Sequence, residues 1–135
     1  MTFVIRDKNG REIVCFFTYR SIFSNHYSCS FYDAELDAHF NSTEQRYMYL
    51  KAKHFHDDEA ASAIMHSNLP SRQKQIGARV NGFCPMEWDK ISRGIMMEGL
   101  RLKFTQNLNL RRELMATGDR DLAECSPFDT KWGIG

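Results

Sequence analysis

At 135 residues the chain has room for one domain and one core, and its 42% hydrophobic and 26% charged content excludes the disordered and membrane-embedded classes. Eighteen basic residues against 17 acidic ones leave a formal net charge of +1, which excludes a strong general attraction to nucleic acid or anionic lipid, so any phosphate recognition has to be local. The opening Met1-Thr2-Phe3 lacks the pattern of a signal peptide and no stretch approaches the ~20 apolar residues of a membrane span, so an intracellular, cytoplasmic protein is expected.

In chain order, Asn9-Gly10 stands between Phe3-Val4-Ile5 and Ile13-Val14-Cys15-Phe16-Phe17, a turn signal between β-branched and aromatic runs that predicts an N-terminal hairpin. A second extended pair is expected over 29–32 and 36–40, joined across Asp33-Ala34-Glu35. The run Asn41-Ser42-Thr43-Glu44 reads as an N-cap followed three positions later by a glutamate and predicts a helix that starts at Asn41 or Ser42 and reaches about Lys53. A second helix is expected over 58–65, and Pro70-Ser71 opens a third with Arg72, Gln75, Ile76 and Arg79 on its surface. Trp88, Ile91, Ile95, Gly99 and Leu102 recur at three-or-four-residue spacing, the mark of a buried stripe on a long fourth helix from about Glu87 to Phe104. Asn109 is the candidate cap of a fifth helix, which Gly118 ends in a left-handed conformation. Residues 122–135 form a short extended piece and a loop built on Ser126-Pro127. With no repeat or linker, the prediction is one α+β domain over 1–135, mainly helical, with a small antiparallel sheet from the N-terminal part.

Cys15, Cys29, Cys84 and Cys125 show no short paired spacing, so neither a zinc knuckle nor a redox dithiol is signalled and reduced thiols are expected. His54, His56, Asp57 and Asp58 look superficially like a metal cluster. A helix C-terminus collects histidines for dipole reasons, and the four are read as a solvated face. No metal or cofactor is expected.

Glu44, Tyr47, Met48 and Lys51 share one helical face. Taken alone, Glu44 reads as a capping-box side chain reaching back to the Asn41 backbone N–H; the helix dipole would favour its ionised form, which suits a base or a charge stabiliser. Lys51 lies two turns on, roughly 10 Å along the axis at 1.5 Å per residue, too far for direct pairing but within the span of a ligand that is cationic at one end and phosphorylated at the other. The C-terminal loop from Glu124 to Gly135 holds an acid, Asp129, and an aromatic, Trp132, able to supply a second carboxylate and a flat surface for a base.

These pieces belong to a longer pattern: Phe23-Ser24-Asn25-His26-Tyr27, Ser42-Thr43-Glu44-Gln45, Lys51-Ala52, Ile76-Gly77-Ala78-Arg79-Val80, Trp88-Asp89, the run from Gly99 to Asn107, Leu114-Met115-Ala116-Thr117-Gly118-Asp119, and Glu124-Cys125-Ser126-Pro127-Phe128-Asp129 ending in Trp132-Gly133-Ile134-Gly135. In order and spacing this resembles the NADAR family, whose bacterial members are the riboflavin-biosynthesis-intermediate N-glycosidases. The resemblance implies hydrolysis of the bond between a phosphorylated ribose and a nitrogen base, with two substrates in competition: ribosylaminopyrimidine phosphates of the flavin pathway, and ADP-ribosylated guanine, free or within nucleic acid. It implies that Glu44 and Asp129 are catalytic and that Asn25, Lys51, Arg79, Trp88 and Trp132 line the substrate site; Tyr47 joins them as a candidate from its place on the Glu44 face of the helix. Trp88 also begins the buried stripe, so core packing stays open for it. His26 stands where the family has an aromatic residue and is read as a partly exposed loop histidine. The family's closing turn and final helix have no counterpart before Gly135, so a core left uncovered would favour self-association. The competing function from another class is a module that binds ADP-ribose or a nucleotide without cutting it.

Overall fold

In the structure, a computed structural model that describes residues 2–16 and 18–124, the N-terminal hairpin owes its turn to Asp7 as much as to Asn9-Gly10. Strands β1 (Thr2–Arg6) and β2 (Glu12–Phe16) pair antiparallel, Thr2 opposite Phe16 and Arg6 opposite Glu12. The Asn9 and Arg11 amides both donate to Asp7 Oδ1, at 2.8 and 2.9 Å, while Gly10 takes the left-handed φ of +78° that a side chain would resist. The second hairpin, β3 (Phe31–Asp33) with β4 (Ala38–Phe40), repeats the device: Asp33 Oδ1 accepts from Glu35 and Leu36 amides.

Five helices follow: α1 (Thr43–His54), α2 (Asp58–Met65), α3 (Pro70–Gly77), α4 (Pro85–Gln106) and α5 (Leu108–Ala116). The chain then returns as β5 (Asp121–Glu124), parallel to β2. The α+β, mainly helical expectation holds. The sheet differs in detail, because β-structure falls into a three-stranded piece ordered β1-β2-β5 and a separate two-stranded hairpin, and the C-terminal strand that completes the first piece pairs parallel. Cys15 in β2 is disulfide-bonded, whereas Cys29 and Cys84 are free; the expectation of reduced thiols fails for Cys15, since sequence spacing does not reveal which thiols meet in space.

Two apolar clusters hold the layers. Met48 and Ala52 of α1 pack on Ala61 and Ile64 of α2 and on Val80, while Phe31 and Phe40 of the second hairpin pack on Leu102 of α4. At Gly77 a Cβ would lie 2.1 Å from Met48 Sδ, so the glycine is what lets α3 approach α1. Buried charge adds a third tie. Arg46 Nε donates to Asp33 Oδ2 at 2.9 Å and its Nη1 to the Ile95 carbonyl at 2.6 Å, joining β3, α1 and α4 through a pair in which both side chains are less than a tenth exposed.

The start of α1 is fixed by a polar network. Ser42 is the N-cap, its Oγ accepting from the Gln45 amide at 3.0 Å, and Gln45 Oε1 accepts from the Asn41 amide at 2.7 Å. Gln45 Nε2 donates to the Ile64 carbonyl at the end of α2. Ser42 Oγ donates to Gln73 Oε1 of α3, whose Nε2 donates to Asn41 Oδ1 and the Ser67 carbonyl. Ser42, Gln45 and Gln73 are all but inaccessible.

Two stability changes follow. Replacing Gln45 by Leu strands the Asn41 amide and removes the tie to the end of α2, and is expected to lower unfolding free energy by about 2–4 kcal/mol; urea titration measures it. Replacing Arg46 by Met leaves Asp33 buried without its cation and is expected to lose about 3–5 kcal/mol in the same assay.

Candidate active site

The cap lies one residue later than a reading centred on Glu44 places it. Gln45, not Glu44, closes the box and satisfies the Asn41 amide. Glu44 is therefore free of capping. Its own amide donates to the Asn25 carbonyl at 3.1 Å, and Thr43 Oγ1 donates to Asn25 Oδ1 at 3.0 Å and to the Asn25 carbonyl at 3.2 Å. The segment from Ser21 to Tyr27 thus docks on the first turn of α1. Lys103 of α4, wholly buried, anchors it from behind by donating Nζ to the Ile22 and Ser24 carbonyls at 2.5 and 3.1 Å.

The Glu44 side chain is 8% exposed, and its nearest charged neighbour is His26, Nε2 to Oε2 3.8 Å. That distance is beyond hydrogen-bonding range, and among the described residues the carboxylate accepts no hydrogen bond. No polar side-chain atom among the described residues is wholly shut in without a partner, so the little surface Glu44 keeps is its carboxylate's access to water. Burial pushes the carboxyl above the ordinary range; the Lys74 charge opposes the rise, Glu124 adds to it, and Lys51 opposes it again. The dipole argument for easy ionisation is outweighed here, because a buried carboxylate without donors forfeits more solvation than the first turn returns. His26 moves down, through burial first and the neighbouring Lys74 second, with Glu124 pulling the other way.

Of the residues expected at the site, Asn25 and Lys51 belong with Glu44. Burial lowers the Lys51 pKa and the Glu44 charge partly restores it; its ammonium lies 4.2 Å from the centre of the Phe83 ring. Asn25 also borders an apolar cavity of about 690 Å³ lined by Phe16, Phe23, Leu100, Phe104 and Leu122. Tyr47 and Trp88 form a unit of their own: the indole Nε1 donates to Tyr47 Oη at 3.1 Å, the rings meet edge to face at 5.2 Å, and His54 and Phe55 flank the indole. At 5% exposure Trp88 is packed as core and braces Tyr47. Arg79 lies apart, lining a separate cavity with Asp57, Arg72, Gln75 and Ile76. Asp129 and Trp132 fall outside the described residues.

Two residues join the site that the sequence did not single out for it, Lys74 and Glu124, each acting electrostatically on Glu44 and on His26. His26, read from the sequence as a partly exposed loop histidine, contacts Glu44. The histidine-aspartate cluster is occupied with structural work: Asp57 caps α2 through the Ala60 amide and also accepts from the Asn81 amide, His54 contacts Glu87 and Lys53 contacts Asp58. Among the described residues no three His, Cys, Asp or Glu side chains gather as a metal site, and no helix there is long and apolar enough to cross a membrane.

Comparison with known proteins bears on this geometry. An N-glycosidase of Acanthamoeba polyphaga mimivirus is 42% identical over 98 residues, 73% of this chain and 58% of the viral protein. Protein irg-1 of Caenorhabditis elegans is 28% identical over 145 residues, 97% of this chain and 68% of that one. The NMR structure of the E. coli protein YbiA superposes with a TM-score of 0.72 at 23% identity, covering 89% of this chain and 70% of YbiA, which shows a shared fold. The chain spans 58% of the length of its mimivirus relative. The NADAR domain matches residues 15–135, a span that contains Asn25, Glu44, Lys51 and Lys74 together, and the chain belongs to the NADAR domain family.

Proposed function

We propose that the protein is an N-glycosidase that hydrolyses the bond between a phosphorylated ribose and a nitrogen base. The observation that carries this reading is the Glu44 carboxylate: buried, accepting no hydrogen bond among the described residues, and held at the start of α1 by a neighbour that does the capping in its place. A fold does not keep a carboxylate in that state for stability, because a buried charge without partners is a net loss. Such groups mark sites where the charge acts on something that arrives. The names of the mimivirus protein and of N-glycosidase YbiA of Escherichia coli (strain K12) support the reaction class.

The chemistry fits the residues. As the C1′–N bond breaks, positive charge grows on the ribose; a carboxylate in a poorly solvated place stabilises it and can take a proton from the water that attacks C1′. Burial raises the Glu44 pKa, which makes the carboxylate a stronger proton acceptor than an exposed one. Lys51 and Lys74 supply positive charge near the carboxylate for the phosphate. Asn25 holds the loop against α1, and Tyr47, braced by Trp88, faces the same side of the helix as Glu44. In this reading Asp129 assists departure of the base, Trp132 covers it, and Arg79 serves a distal part of a longer ligand.

Two substrates are in competition, a ribosylaminopyrimidine phosphate of the flavin pathway and ADP-ribosylated guanine. Incubation with each, followed by mass spectrometry of free base and free sugar phosphate, decides between them. Release from one names the substrate. If neither is cut while one still raises the melting temperature, the protein is a binding module and the hydrolase reading is wrong.

Glu44→Gln is expected to lower turnover by about 10²–10³-fold or more while leaving the circular dichroism spectrum unchanged. The same variant is expected to melt higher than the parent at pH 7. A carboxyl whose folded pKa is raised contributes stability that is complete below the ordinary carboxylate range and is lost as pH rises through the folded value. The gain from removing its charge should therefore disappear when both proteins are melted at pH 4 or below.

A further inference from the structure

We infer that His26 is the proton relay of this site, taking from Glu44 the proton that the carboxylate removes from the attacking water and passing it to solvent. The inference rests on the hydrolase reading and adds a step to it. Water gives its oxygen to C1′ and one proton to Glu44; the C1′–N bond pair leaves with the base, which takes a proton from the surrounding solvent; Glu44 hands its proton to the imidazole, and the imidazolium releases it. One water is consumed, and both side chains return to their starting states.

The geometry carries the assignment. The Glu44 side chain is 8% exposed and His26 Nε2 lies 3.8 Å from Oε2, whereas the imidazole itself is 29% exposed, so one side chain reaches both the enclosed carboxylate and bulk water. The gap is too long for a direct hydrogen bond and closes with a small rotation of either side chain or with one bridging water. The His26 backbone is fixed, its amide donating to Ser24 Oγ at 3.1 Å, and Lys103 fixes the Ser24 carbonyl in turn.

The charged groups around the pair are Glu44 and Lys51 on α1, Lys74 on α3 and Glu124 on β5. Lys74 makes the imidazole release its proton more readily, and burial makes Glu44 hold its own more tightly. Both effects bring the two affinities together, which lets the proton pass either way without a large uphill step. Neither lysine can substitute, since an ammonium that must first lose a proton is a poor acceptor at neutral pH.

The test uses His26→Phe and His26→Gln with whichever substrate the intact protein cuts. Turnover at saturating substrate is expected to fall about 10- to 100-fold with KM little changed, and added imidazole is expected to restore part of the rate. A separate measurement needs no activity: His26 is titrated by NMR in the parent and in Glu44→Gln. Loss of the carboxylate should lower the imidazole pKa, and an unchanged value overturns the relay. The two readings fail differently. If Glu44→Gln stays active, the hydrolase assignment of Glu44 is wrong. If Glu44→Gln is inactive while both His26 variants keep the parent's turnover and pH profile, only the relay is wrong. Should His26→Phe fail to fold, His26→Gln and the titration still decide.

Discussion

Everything at the site depends on keeping one carboxylate largely out of water without giving it a hydrogen-bond donor among the described residues. Left to itself, Glu44 in the first turn of a helix would swing out to solvent or bond back to the backbone amides of its own turn, since either removes the desolvation penalty. The second escape is closed because Gln45 already occupies the capping position and the Asn41 amide. The first is closed by the loop docked through Asn25 on Thr43 and Glu44. Adjacent residues of similar size thus have opposite duties, one spending all its hydrogen-bonding capacity on the fold and the other spending none.

That division explains why the network behind α1 is so heavily buried. Ser42, Gln45 and Gln73 tie the helix start to the end of α2 and to α3, and Arg46 ties the next turn to β3 and α4. A polar network with every member satisfied holds positions to fractions of an ångström, which apolar packing alone does less well. The rotation of α1 about its axis is set on two sides. The direction of Glu44 is set with it.

What was legible in the sequence follows the range of the interactions concerned. Both hairpins and the five helices among the described residues were readable because their signals are local: Asn9-Gly10, Pro70 and Gly118 constrain φ or remove a donor within one turn. The parallel pairing of β5 with β2 was not, since it joins segments more than a hundred residues apart and no local pattern encodes which edge a strand will find. At the site, Glu44, Asn25 and Lys51 were legible through the family pattern. The helix start stayed open between Asn41 and Ser42 because Glu44 and Gln45 can each follow a cap three residues later; with Ser42 as the N-cap, the capping role read for Glu44 falls to Gln45. Lys74 lies on α3, and only the docking of that helix on α1 brings its charge to bear on Glu44.

The loop that completes the site is held by a second buried charge, and the two charges respond oppositely to pH. Burial pushes the Lys103 pKa down to about 8, with Cys29 partly restoring it, so its ammonium weighs against the fold until pH rises through that value. Above it the unfolded chain binds the extra proton, and stability increases towards the ordinary lysine range. The Glu44 carboxylate weighs against the fold on the other side, ceasing to do so only as pH falls and the group is protonated. Burial makes both charges unfavourable. The fold therefore carries an electrostatic burden at the place where a carboxylate able to accept a proton, and a loop rigid enough to aim it, are needed together. Among the described residues Lys103 reaches no carboxylate. Its two carbonyl contacts and the rings of Tyr27 and Phe104 are its compensation, and because those carbonyls belong to the segment bearing Asn25 and His26, the unfavourable charge on α4 is also the one that keeps the loop in place over Glu44.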